Sequence, residues 1–187
     1  MKKKALVLIC IVAVLAASAA GIFWVIRSKK TVAIDEQNFP DEIFRTYVSD
    51  LYDRNDDGKL DRSEIKAAKN CAPKELGIQS LEGIEWLTEL ERLDCYANEL
   101  ERLDLSKNKK LKYLEAGKNP LTELDMSGNP ALTELRCFAT SLTMLDLHGC
   151  SALKTILVYE DILTVLDLRG CDNLQDYPEG EGIKILR

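Results

Sequence analysis

Leucine returns along the second half of this chain at one fixed interval. Leu90, Leu111, Leu132, Leu153 and Leu174 stand 21 residues apart, and so do Leu93, Leu114, Leu135 and Ile156. The same spacing links Leu100, Leu121, Leu142 and Leu163, then Leu103, Leu124, Leu145 and Leu166, then Leu105, Met126, Leu147 and Leu168. Asp104, Asp125, Asp146 and Asp167 fill one further column. Within the unit Leu90–Lys110 the apolar positions advance by steps of 3, 2, 5, 3, 2 and 6, which no helical period accommodates. Each Leu-x-Leu pair instead reads as a short strand with alternate side chains turned inward. One such unit cannot bury its own apolar face, whereas stacked units share a continuous core. The repeat therefore predicts a solenoid of about five coils. Asn98, Asn108, Asn119 and Asn129 fall at the bends, where a side-chain amide can bond the backbone of a neighbouring coil.

The amino terminus has a different character. Lys2, Lys3 and Lys4 precede an uncharged apolar run from Ala5 to Ile26, closed by Arg27-Ser28-Lys29-Lys30. A secretory core spans about 7–15 residues and a membrane-crossing helix about 20, so this run of 22 suits an uncleaved signal anchor better than a cleaved signal peptide. A small-residue cleavage site at Ala17-Ser18-Ala19 keeps the second alternative open. Either way the remainder is expected on the extracellular side of the membrane or secreted. Residues 1–30 hold six bases and no acid, which leaves 19 bases against 31 acids in residues 31–187. A surface that acidic repels phosphate backbones, so nucleic acid is not an expected partner.

Between the apolar run and the repeats lies a twelve-residue segment, Asp53 to Glu64, that satisfies every position of an EF-hand loop. Asp53, Asn55 and Asp57 would give side-chain oxygens, Lys59 its backbone carbonyl, Asp61 a direct or water-borne oxygen, and Glu64 a bidentate carboxylate, to Ca2+. Gly58 permits the sharp turn at the sixth position, and Leu60 is expected to point inward. Asn38-Phe39-Pro40-Asp41-Glu42 reads as a helix start, with Phe39, Ile43, Phe44, Tyr47, Val48 and Leu51 at helical spacing after it. Ser63–Lys69 reads as the exiting helix. A lone loop of this type in a calcium-rich exterior suits a fixed structural ion rather than a sensor.

The 21-residue unit resembles that of bacterial leucine-rich-repeat proteins, in the nested form where a ten- and an eleven-residue half each carry LxxLxLxxN. The segment Gly77–Leu90, whose apolar residues Ile78, Leu81, Ile84, Leu87 and Leu90 step by threes, is similar to internalin-type repeats. The whole order of export segment, EF-hand and repeats resembles surface leucine-rich-repeat proteins of Gram-positive bacteria, over nearly the full chain. The resemblance implies a mostly β solenoid with an N-terminal α-helical EF-hand cap and a single N-terminal transmembrane or signal helix. It divides the chain into residues 1–30 (anchor or signal), 31–70 (cap) and 71–187 (repeats). Its bend asparagine is replaced here by Thr140, Asp161, Cys150 and Cys171.

Function is expected on the strand surface. With Leu93 and Cys95 inward, Arg92, Asp94 and Tyr96 point outward, and the last of these positions recurs as Tyr96, Gly117, Phe138, Tyr159 and Gly180. Coils about 4.8 Å apart would bring Phe138 against Tyr159 and leave Tyr96 two coils away. Tyr96, Phe138 and Tyr159, flanked by Arg92 and Arg136, form the candidate stripe for a protein or glycan ligand. The alternative is that the rings fold over the strand edge and cover the core. The aspartate column is expected to bond backbone amides of the following turn rather than a row of metals. Cys95 and Cys137 occupy inward leucine sites, and Cys150 and Cys171 share one bend in successive coils, within reach of a disulfide that the residues alone leave open. One histidine, His148, excludes mechanisms that need several. A non-enzymatic binding protein anchored through residues 5–26 is the reading these features favour, with a calcium-dependent spacer and a cell-wall hydrolase as competitors.

Overall fold

The repeat winds as its leucines require. In the computed structural model, residues 31–158, 162–177 and 182–187 are described, and Val32–Arg187 form one compact unit. The first half of each coil supplies one rung of a parallel sheet: β3 (Asn70–Cys71), β4 (Arg92–Asp94), β5 (Tyr113–Glu115), β7 (Glu134–Arg136) and β9 (Thr155–Leu157). The second half supplies another sheet, in the order β6 (Glu123–Asp125), β8 (Met144–Asp146), β10 (Val165–Asp167) and β11 (Lys184–Leu186). Equivalent residues pair without slippage: Leu93 opposes Leu114, Leu114 opposes Leu135 and Leu135 opposes Ile156. Leu93, Leu114 and Leu135 from one sheet, with Leu145 and Leu166 from the other, are fully buried between the two. Burial of such side chains contributes about 1.5–3 kcal/mol each.

The bends follow the residue logic of the sequence. Asn119 donates from Nδ2 to the carbonyls of Cys95 and Ala116, and its Oδ1 accepts from Leu100 N. Asn98 bridges in the same way to Pro73 and Cys95 and receives Leu76 N and Ile78 N. On the other edge Asn108 reaches the carbonyls of Ile84 and Leu87, and Asn129 those of Leu105 and Asn108. Cys150 and Cys171 continue that column: each thiol donates to the carbonyl 24 residues earlier, Met126 and Leu147 respectively. Both are buried free thiols, which settles the open disulfide question against a bridge. The aspartate column does what was expected. Asp104, Asp125 and Asp146 each accept the backbone N–H two residues on at 2.8 Å, and Asp167 accepts that of Arg169 at 3.1 Å.

Two helices stand ahead of the coils, α1 (Glu42–Tyr52) and α2 (Arg62–Ala67). Asp41, not Asn38, caps α1: its Oδ1 accepts Phe44 N, and Pro40 lies outside the helix. Its second oxygen accepts Gln79 N and Ser80 N from the first coil. Tyr52 donates to Asn70 O, and Tyr47 receives Ala72 N, so the far end of α1 is tied down as well. Phe39, Phe44, Val48 and Leu60 belong to the same buried cluster as the repeat leucines. Residues 70–71, placed by the sequence at the seam between cap and repeats, form the first rung of the solenoid sheet. No helix among the described residues is long and apolar enough to cross a membrane, and the anchor expected over residues 5–26 lies outside them.

Candidate ligand-binding face

The loop between α1 and α2 is built from its own carboxylates. Asp53 accepts Asp57 N and Gly58 N on its two oxygens, and Asn55 also accepts Asp57 N. Glu64, 3% exposed, receives Arg54 N on one oxygen and Asp61 N on the other, while Asp61 caps α2 through Ser63 N and Glu64 N. Asp56 and Gly58 take left-handed backbone, φ 56° and 73°, which turns the chain back on itself. Lys59–Leu60 form a short strand, β2, paired antiparallel with β1 (Val32–Ala33), and Leu60 is fully buried. That pairing supplies what a second loop would otherwise provide. The donor set of Asp53, Asn55, Asp57, the Lys59 carbonyl, Asp61 and Glu64 is all oxygen, the chemistry a hard cation takes. Among the described residues no three or more His, Cys, Asp or Glu side chains converge as a ready metal cluster.

The outer face of the five-stranded sheet carries the expected aromatic column, with two changes. Backbone bonds from Ala97 N to Gly117 O and from Lys118 N to Phe138 O align Tyr96, Gly117 and Phe138 on successive coils. The rings of Tyr96 and Phe138 meet across Gly117, with centroids 5.8 Å apart and planes tilted by 44°. The sequence kept them two coils apart. The glycine between them has no side chain to hold the rings off, so they lean together. A Cβ on Gly117 would come within 2.9 Å of Glu115 Oε1, 3.0 Å of Phe138 O and 3.2 Å of the Phe138 ring. Both rings are half-buried, so they line the strand edge and also present a surface. Tyr159 lies outside the described residues.

Arg92 and Arg136 are on this face and already engaged. The Arg92 guanidinium lies 3.5 Å over the Tyr113 ring, and Arg136 Nε pairs with Glu134 Oε1 at 2.7 Å. Lys118 Nζ sits 5.2 Å from the Tyr96 ring centre. Sequence reasoning passed over Tyr113, Lys118 and Glu115. The signal for Tyr113 and Glu115 was present in the repeat, since they stand one unit after Arg92 and Asp94. Glu115 is 7% exposed, and its Oε1 accepts Gly117 N at 3.0 Å. Burial above all, then the charge of Asp94, push its pKa up, against the Gly117 N–H and Arg136, which hold it down. The thiols of Cys71, Cys137 and Cys150 are pushed up to about 12, mainly by burial, so they are poor nucleophiles.

No family model matches the chain, and neither does any curated protein. Among solved structures, the chain is similar to an internalin (inlF) from Listeria monocytogenes. The TM-score is 0.54 and the identity 21%, over 73% of this chain and 52% of that one. It is similar also to an internalin C2 (inlC2) from the same organism. There the TM-score is 0.59 and the identity 24%, over 78% of this chain and 66% of that one. This likeness shows the fold: a leucine-rich-repeat β-solenoid. The chain spans between half and two thirds of the length of these two proteins.

Proposed function

We propose that this chain is a non-enzymatic, surface-displayed or secreted binding protein that takes a protein ligand on the outer face of its five-stranded sheet. The observation that carries this reading is the Tyr96–Phe138 pair, meeting across a bare glycine on a surface otherwise made of charged strand residues. Paired, partly desolvated aromatics flanked by arginine are what the centres of protein interfaces are made of. The similarity to internalins adds a precedent for a solenoid of this kind with an exported surface. An anchor in residues 5–26 belongs to the same proposal. The test is capture of surface proteins by the full chain against its Tyr96→Ala/Phe138→Ala variant. The variant is expected to lose the captured partner while its Tm falls by a few degrees, the loss of an aromatic pair worth about 0.5–1.5 kcal/mol. An unchanged set of captured proteins would overturn the reading.

A structural Ca2+ held by Asp53, Asn55, Asp57, Lys59, Asp61 and Glu64 completes the proposal. The oxygen-only donors at all ligating positions of a twelve-residue loop support it, as do the helices on either side and the β1–β2 ladder that braces Leu60. When bound, the ion would tie the end of α1 to the start of α2. At saturation about a hundredfold above its dissociation constant an ion contributes about 2.7 kcal/mol to stability. Chelation is therefore expected to lower the Tm of the wild-type chain by several degrees and to leave Asp57→Asn unmoved. Calorimetry showing no heat on calcium addition, with no change in Tm, would remove the ion from the account.

A further inference from the structure

Asp94 and Glu115 lie directly opposite one another on adjacent strands β4 and β5, with both side chains on the outer face. Like charges so placed destabilise a sheet unless a cation intervenes. Among the described residues neither carboxylate makes an ion pair, and the three bases bordering them are committed elsewhere. Arg92 stacks on Tyr113, Arg136 pairs with Glu134, and Lys118 lies against Tyr96. Glu115 is more than nine-tenths buried, and only its Oε1 is engaged, by Gly117 N; Oε2 receives no hydrogen bond from the described residues. Its raised pKa, caused first by burial and then by Asp94, reports the same unmet charge. Beside it stand two aromatic walls. The Phe138 ring edge and Glu115 Oε1 converge on the side-chain position that Gly117 leaves bare, and the Tyr96 ring closes over Phe138 at 5.8 Å.

A divalent metal ion would want six or more oxygens, and among the described residues no such cluster exists. Aromatic faces together with a partly desolvated carboxylate suit an organic cation instead: the rings attract it through their quadrupole, and the carboxylate accepts its N–H groups. The excess of 31 acids over 19 bases in residues 31–187 steers such a group toward the molecule. We infer that Asp94 and Glu115, walled by Tyr96 and Phe138, form a subsite for an arginine or lysine side chain presented by the protein partner. The inference rests on the reading of this sheet as the ligand face, and names the chemistry that the face selects.

The test uses the full-length chain in detergent micelles, with amide NMR shifts read at Glu115, Gly117 and Phe138. The probes are N-acetyl-arginine methylamide, N-acetyl-lysine methylamide and the neutral isostere N-acetyl-citrulline methylamide. The charged probes are expected to move these amides to saturation and the citrulline probe to leave them in place. Glu115→Gln, isosteric and uncharged, is expected to weaken the arginine probe about tenfold, as loss of one charged hydrogen-bonding group does. Glu134→Gln, whose partner Arg136 lies at the rim, is expected to change it little. If Glu115→Gln fails to fold, Asp94→Asn carries the same expectation. Equal shifts from citrulline, arginine binding untouched by the carboxylate variants, or calcium displacing the probe from these amides would each overturn the subsite. Probe binding with no protein captured supports the subsite and refutes the partner reading, and capture without probe binding refutes the subsite alone.

Discussion

Glu91 shows how a single residue of the repeat fastens three coils. Its carboxylate takes Lys69 Nζ at 2.8 Å on one oxygen and Lys112 Nζ at 2.6 Å on the other, from the coil before and the coil after. The hydrogen bonds from Lys112 and then Lys69 hold its pKa well below the usual carboxylate range, at about 2. The sign of the consequence follows from the direction. A group depressed on folding lends its stability above its unfolded pKa, near 4.3, and loses it as pH falls toward 2. Acid unfolding of the wild-type chain is therefore expected to steepen between about pH 4 and 2, and Glu91→Gln to flatten that limb while leaving stability differences at pH 7 small. A denaturant series across pH checks it, and parallel curves for the two proteins would show that the staple carries nothing.

Among the elements, the strands and bends of the later coils could be read from the sequence nearly residue by residue, because each repeats one local problem with one local solution. Asn129 is such a solution. Its amide satisfies the carbonyls of Leu105 and Asn108, while its own Oδ1 is buried with no partner in the protein. Cys150, one coil on, satisfies one carbonyl and buries no second polar atom. Asn129→Ala strands two buried carbonyls and is expected to cost about 2–4 kcal/mol, whereas Asn129→Cys keeps one bond and is expected to cost about 1 kcal/mol, as measured by urea unfolding. What the sequence hid lies where two kinds of unit meet. Leu103 shares the column of Leu124, Leu145 and Leu166, yet it is only half-buried and Arg102–Asp104 form no strand. The preceding coil carries a 3₁₀ turn at Ile84–Trp86 on this side instead of a strand, so the ladder has nothing to begin on. A groove of about 650 Å³ opens instead between Arg102–Ser106 and Glu123–Ser127. The meeting of Tyr96 with Phe138 was hidden for a related reason. A column lists which side chains share a face, but the lean of a ring depends on the empty volume at Gly117.

Across the whole molecule, register is the property that ties the cap to the last coil. One buried cluster runs from Phe39 to Leu174, and every rung pairs residue for residue with the next. Nearest-neighbour coupling of this kind makes stability a sum over coils and their interfaces, with no coil privileged so long as each finds its neighbour in step. Removing a full period therefore differs in kind from removing nearly one. Deletion of residues 132–152 joins Ala131 to Leu153, restores every leucine to its column and takes out one complete coil. The shortened chain is expected to unfold cooperatively, with an m-value reduced in proportion to the surface lost and a lower midpoint. Deletion of residues 132–151 leaves one residue too many, so each later strand turns its leucines outward and its charged residues into the core. That chain is expected to lose the coils after the junction, read as exposed apolar surface by dye binding and as loss of amide protection beyond Ala131. Equal stability of the two deletions would mean that the coils hold together by apolar content alone and that the columns are incidental to the fold.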